Sequence, residues 1–378
     1  MKILHLSKFY PPDRGGLEHV VASLAEGAAA AGHEVRVVSA TGSSWIRPPN
    51  KRVTEPPRAG VVVVRLPTHG ILWSQPLAPG YLAAARWPAD IVHVHHPHPL
   101  ADLAVLLGVR APVVVTHHSD VRRQILAKPL YWPLTRSVLH RAGAVVVATQ
   151  ANIGISQELR GLETKVRVIP FGVDEKRFAP RARGQRPASF PKEGATGLFV
   201  GRLVGYKGLD VLIRAVSGTA LSVVIAGDGP LRADLEAQVA AAGLTAQVRF
   251  AGSVSEDEII GYFQSADYFI LPSTTPAEMF GVVLIEAMAC GKPIISTALP
   301  TGVREVNAPG VTGLEVPPGD APALRAAMQR LASDVELRRA MGSAARVRVE
   351  ERFTLQRMVD THLVLYSEIA KARPSSRA

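Results

Sequence analysis

The strongest constraint in this chain is a rhythm. Short β-branched runs of strand type, KILHL, HEVRVVSA, VVVVRL, IVHVHH, PVVVTHH and AVVVAT, recur through the first half with helical or loop segments between them. Apolar strands alternating with helices predict an α/β fold built on a parallel, doubly wound sheet covered on both faces. VRVIPFGVDEKRFAP closes this half, and the linker-like ARGQRPASFPKEGATG follows at 182–197. The rhythm then restarts with GLFVGRL, LSVVIAGDGP, VRFAGSV, YFILPS, PIIST and TGLEVPP. Helical spacing marks LEHVVASLAEGAAAAG, GLDVLIRAV, about 231–242, 320–332 and 334–350, and finally FTLQRMVDTHLVLYSEIAK. The expected architecture is two Rossmann-like domains in series, 1–181 and 198–353, with a terminal helical segment at 354–378. Ligands of such sheets bind beyond the carboxyl ends of the strands, so chemistry is expected in the loops that follow them.

Length agrees, since 378 residues exceed one ordinary core. A content of 47% hydrophobic and 20% charged residues describes a globular protein rather than a disordered one. No apolar run approaches the roughly 18 residues of a membrane span. MKILHLSKFYPPDRGG meets Pro and Asp too early for a signal peptide. The single cysteine, Cys290, excludes internal disulfides and suits a reducing cytoplasm. The net charge of +11 is lopsided: residues 1–186 hold 24 basic against 12 acidic side chains, and 187–378 hold 19 against 20. A basic half beside a neutral one points to a polyanion or an anionic surface, unless it reflects an Arg-rich compositional bias.

Several short stretches carry candidate chemistry. GRLVGYKG (201–208) sets Arg202 and Lys207 on a glycine-bounded loop after a strand. A guanidinium fork and an ammonium converging there suit a diphosphate, although two solvated surface cations account for the pair taken alone. It is not a Walker loop, because G-x4-G-K-[ST] is absent. GDGP (227–230) is half of a dinucleotide fingerprint, and a tight turn before a helix explains it equally well. Gly15 and Gly16 precede the first helix, where backbone approaches an anion closely or simply turns. HVHHPHP (93–99) and THHSD (116–120) follow strands and invite a zinc reading. Alternating strand positions face opposite sides and no Cys or close Glu completes a ligand set, so no metal is expected. In PAEMFGVVLIEAMACGKPII (276–295) two glutamates interrupt an apolar run. If Phe280-Gly281 opens a helix, Glu278 lies on the loop, Glu286 lies inside the helix, and helical N–H groups face an anion between them. Phosphates with several hydroxyls match this, as in a nucleotide sugar.

Taken together, EMFGVVLIE, RLVGYK, GDGP, GGLE and EAMACGKPII resemble the family 4 retaining glycosyltransferases over essentially the whole chain. The resemblance implies the GT-B fold, two facing Rossmann-like domains with a C-terminal helix crossing back to the first. It implies metal-independent hexose transfer from a nucleoside diphosphate sugar, with no cofactor. Carried over, Arg202 and Lys207 would hold the diphosphate, Glu278 would orient sugar hydroxyls, and Glu286 would hold the ribose. Backbone at Phe280, Gly281 and Val282, with Gly229 and Val254, would complete the donor site, and Gly16 would approach from the first domain. His118 matches a histidine near the sugar, with His117 an open alternative. The basic, aromatic stretch 122–141, with Arg122, Arg123, Lys128 and Trp132, suits an anionic bilayer, and Gly15 belongs to the same acceptor side. THHSDVRRQ is similar to bacterial transferases that build lipopolysaccharide, O-antigen or exopolysaccharide on lipid-diphosphate carriers, some using GDP-mannose. The expectation is a peripheral enzyme of the inner membrane with a mannose-type donor and a lipid-linked acceptor. A soluble acceptor and a non-enzymatic polyanion binder are the alternatives, although no nucleic-acid-binding motif is visible.

Overall fold

The computed structural model describes residues 1–13, 15–42, 51–72, 75–120, 128–180, 187–191 and 193–372, without the side chains of 128–130. It divides into two compact units, Met1–Phe171 with Leu355–Ala378, and Gly172–Thr354.

The first unit holds strands β1 (Lys2–Leu6), β2 (Glu34–Ala40), β3 (Val53–Thr54), β4 (Val61–Leu66), β5 (Ile71–Leu72), β6 (Gln75–Pro76), β7 (Ile91–His96), β8 (Val113–His117), β9 (Ala144–Val147) and β10 (Val166–Val168). Eight form one sheet in the order β10-β9-β8-β7-β1-β2-β4-β3, and among the described residues β5 pairs only with β6. Every pairing in the large sheet is parallel except β3 with β4. The two-residue period of a strand sorts side chains onto two faces. Leu4, Leu6, Val92, Val94, Val113 and Val115 pack one way, with Val105, Val138 and Leu139. Ile3, Val35, Val37, Ile91, Val114 and Val146 pack the other way, with Val21, Ala25, Leu365 and Tyr366. The last two belong to the helix Leu355–Lys371, which packs on the helix Gly16–Ala30. The C-terminal helix is therefore part of the first unit, as the GT-B pattern implies.

The second unit is a six-stranded parallel sheet, β13-β12-β11-β14-β15-β16, with β11 (Thr196–Val200), β12 (Ser222–Ala226), β13 (Val248–Gly252), β14 (Tyr268–Leu271), β15 (Ile294–Thr297) and β16 (Gly313–Val316). The division falls ten residues before the expected 181. The segment after Phe171 is tied into the second unit: Gln264 Nε2 donates to Ala179 O at 3.0 Å and Arg346 Nη1 to Glu175 O at 2.7 Å. In the expected linker 182–197, β11 already begins at Thr196, and residues 182–186 and 192 lie outside the described residues. A helix not anticipated from the sequence, Glu256–Ser265, starts at a capping box in which Ser255 and Glu258 exchange hydrogen bonds.

Arg65 fastens the loop that leads from β1 toward the first helix. It is 1% exposed. Its guanidinium donates to Glu55 Oε1 at 2.9 Å, to Tyr10 O and Ser39 Oγ at 3.0 Å, and to Pro11 O. Arg65→Met leaves these acceptors short of a donor and should lower the unfolding free energy by about 3 kcal/mol. Denaturant titration checks this; a loss below about 1 kcal/mol contradicts it.

Candidate functional site

In the second unit, two neighbouring strands end in the loops that carry the motifs. After β11, Gly201 N donates to Ala226 O at 3.0 Å and Leu203 N to Asp228 O at 2.9 Å, which stitches the Arg202 loop to the GDGP turn. Gly227 has φ +142°, and a Cβ there would collide with the carbonyl of Gly201; one at Gly229 would meet Leu203 O. These glycines are needed for backbone-to-backbone packing, which is the turn reading rather than the dinucleotide one. Gly208, at φ +69°, sits against Pro272 O just past β14, and Thr274 N donates to Tyr206 O at 2.8 Å. The two loops are thus locked together.

That lock brings Lys207 onto Glu278. Lys207 Nζ lies 2.5 Å from Glu278 Oε2, and each side chain is only 9% exposed. Ser273 Oγ donates to the same carboxylate oxygen at 3.0 Å. Immediately beyond, Gly281 takes φ +75° and caps the helix Val282–Ala289, whose first turn carries N–H groups without intrahelical partners. Phe280 is buried edge-to-face on Phe353, so its side chain belongs to the core and only its backbone serves the loop. Glu286 lies a turn inside the helix, half-buried. Burial pushes its carboxyl up to about 7, Glu256 adds to the shift and Arg177 opposes it. Arg202 is exposed, and Gly229, Val254 and Val282 are half-buried.

In the first unit, the two-residue period sorts the histidines. His5, His93 and His95 share the face of Ile3 and Ile91, while His96 and His117 take the opposite one. His96 Nε2 meets Asp102 Oδ1 at 2.5 Å, both fully buried. His117 Nε2 lies 3.0 Å from Glu158 Oε2 and 3.4 Å from Asp120 Oδ1. The sequence expectation that no Glu stands close is corrected here, because Glu158 arrives from a distant segment. Among the described residues, two groups bring metal-ligand atoms within 4.8 Å of one another: His5 with His93 and His95, and His117 with Asp120 and Glu158. His118 is half-buried and stacks on Phe171, with ring centroids 5.5 Å apart. Gly15 and Gly16 are exposed at the start of the first helix. Sequence reasoning passed over Lys8, which interacts with Glu18 of that helix and whose ammonium burial pulls down to about 8.

Of the expected acceptor or membrane residues, Arg122 and Arg123 lie outside the described residues, as does the side chain of Lys128. Trp132 is half-buried in the helix Lys128–Arg141. Tyr131 is buried, and Arg141 donates to Val105 O and Val109 O. Part of the basic, aromatic stretch is therefore structural.

Comparison with known proteins gives the family and the fold. Residues 14–177 match Glycosyltransferase Family 4 and residues 182–348 match Glycosyl transferases group 1. D-rhamnosyltransferase WbpZ of Pseudomonas aeruginosa is 36% identical over 94% of this chain and 92% of its own length. The chain belongs to the family 4 glycosyltransferases. O-antigen chain mannosyltransferase C of Escherichia coli is 31% identical over 99% of this chain and all of its own length. Sucrose-phosphate synthase from Thermosynechococcus elongatus shares the fold with a TM-score of 0.84 at 25% identity, covering 98% of this chain and 100% of that one. Anabaena Alr3699/HepE, solved in complex with UDP-glucose, has a TM-score of 0.76 at 20% identity, covering 97% and 100%. This glycosyltransferase is thus a GT-B protein with two Rossmann-like domains.

The ion pair of this glycosyltransferase makes a stability prediction. Removing one partner of a nearly dry pair strands the other charge and costs about 3–5 kcal/mol, whereas removing both costs far less. Lys207→Met and Glu278→Leu should each destabilise the protein more than the double variant does. Denaturant unfolding of the four proteins decides it, and simple additivity would contradict it.

Proposed function

We propose that this glycosyltransferase moves a hexose, of mannose type, from a nucleoside diphosphate sugar such as GDP-mannose to a lipid-linked glycan. The observation that carries the donor reading is the buried Lys207–Glu278 pair beside the helix start at Gly281. A diphosphate reaching this loop meets the Lys207 ammonium, the Arg202 guanidinium and helical N–H groups, three kinds of donor aimed at one anion. Glu278, its charge shared with Lys207 and Ser273, keeps oxygen lone pairs for sugar hydroxyls. Glu286 accepts from the ribose hydroxyls. By the family pattern, His118 is assigned to a sugar hydroxyl and Gly16 to the diphosphate.

In the reaction the acceptor oxygen bonds to the anomeric carbon as the bond from that carbon to phosphate oxygen breaks. The acceptor proton passes to the departing phosphate on the same face, so configuration is retained without a protein nucleophile. Lys207 and Arg202 stabilise the charge that grows on the leaving group, and no metal is needed for that role.

The acceptor reading is supported by the +12 balance of residues 1–186 and by the two bacterial relatives, whose names point to O-antigen and rhamnose-containing glycans. No helix among the described residues is long and apolar enough to cross a membrane, so attachment would be peripheral, at the cytoplasmic face of the inner membrane. In a transfer assay with a nucleotide-sugar panel and a lipid-linked acceptor, Lys207→Ala should lower kcat by about 10²–10³-fold. Glu286→Ala should chiefly raise the donor KM. Full activity in Lys207→Ala rules out the diphosphate assignment. Failure to co-sediment with anionic liposomes, alongside transfer to a soluble acceptor, removes the membrane reading.

A further inference from the structure

The face of the first unit covered by the C-terminal helix holds polar chemistry that the donor site leaves unused. His5 and His95 are 0% and 1% exposed, and His118 beyond them is half-buried. His5 Nδ1 lies 3.1 Å from His95 Nε2, and His95 Nδ1 lies 3.4 Å from His118 Nε2. The three rings stack in sequence, His5 on His95 with centroids 5.4 Å apart and His95 on His118 at 5.6 Å. They form one line of imidazoles from the core to a loop. His93 touches the line but is occupied: its Nδ1 meets Tyr366 Oη at 2.6 Å and its Nε2 meets Thr116 Oγ1 at 2.7 Å. His362 is held by its own helix, with Nδ1 2.8 Å from Met358 O.

We propose that His5 and His95 are positioning residues that hold His118 as the neutral tautomer protonated on Nδ1. A neutral imidazole carries one proton, so each contact in the line needs one ring to donate and the next to accept. Only two arrangements satisfy both contacts. In one, every ring donates through Nε2, and the His5 Nε2 proton points into the core, where that atom is buried and has no partner among the described residues. In the other, every ring donates through Nδ1, and the atom left unpartnered is a lone pair. A buried N–H without an acceptor is the rarer and costlier defect, so the line runs outward. Burial supports the neutral state, holding His5 and His118 down to about 3.

The second tautomer-fixing contact, His95 to His118, takes the Nε2 of His118 and leaves its Nδ1–H for a ligand. A fixed donor at that place selects a sugar hydroxyl oxygen as its acceptor. This consequence rests on the reading that His118 meets the sugar; the chain itself does not.

Ring-15N-labelled full-length protein, observed by two-bond nitrogen–proton correlation at neutral pH, tests the chain directly. His5, His95 and His118 should each show a protonated Nδ1 and a bare Nε2. Any of the three protonated on Nε2, averaged between tautomers, or shifted by a metal that a chelator removes would overturn the proposal. The wild-type spectrum decides even if a variant does not fold. His95→Leu should release His118 to a tautomer mixture and lower kcat/KM about tenfold, mostly through the donor KM. His95→Gln, whose amide both donates and accepts, should recover most of that loss. An unchanged His118 spectrum in His95→Leu contradicts the chain. A changed spectrum with unchanged kcat/KM upholds the chain and removes the His118–sugar contact instead.

Discussion

A charge taken out of water needs a partner, and in the second unit Lys207 and Glu278 supply one to each other at 2.5 Å. The rest of the site is arranged around meeting that condition. Gly208 allows the Lys207 loop to lie on the backbone past β14, Thr274 fixes it there, and Ser273 shares the carboxylate. Gly281 then turns the chain into the helix start within a few residues of Glu278. An ammonium, a carboxylate and unpaired N–H groups come together because two adjacent parallel strands end at the same edge.

The first unit meets a different requirement, neutral polar groups inside an apolar sheet. Because side chains alternate, the run IVHVHH places His93 and His95 on one face and His96 on the other. The first face answers with hydroxyls and other imidazoles, and the second with Asp102 for His96 and Asp120 and Glu158 for His117. Hydroxyls and imidazoles line the former and carboxylates the latter, so neighbouring histidines of one sheet sit among two kinds of partner.

Much of this was legible in the sequence, for stated reasons. β-branched runs name buried parallel strands, and R-x4-K and E-x7-E mark the loops that follow two of them. The helix start at Phe280-Gly281 was readable in the sequence, and Gly281 caps that helix. What was not legible depends on strand order. Lys207 and Glu278 stand 71 positions apart and meet only because β11 lies beside β14, with β12 and β13 displaced to the other side. Glu158 reaches His117 across 41 positions for a similar reason. The helix Glu256–Ser265 carried a readable signal, Ser255 followed three residues later by Glu258, which was passed over. The contact-based division lies ahead of the expected 181 because Gln264 and Arg346, distant in sequence, hydrogen-bond to residues 175–179.

The central claim is that the Lys207–Glu278 locus receives the diphosphate of a sugar nucleotide. The most direct measurement is the thermal midpoint of the purified protein against a panel of nucleoside diphosphates and their sugars, repeated with Lys207→Ala measured from its own ligand-free midpoint. A ligand that binds the folded state raises the midpoint according to its affinity. The account predicts a clear rise with one base in the wild-type protein that is lost in the variant. An equal rise in both proteins would contradict it.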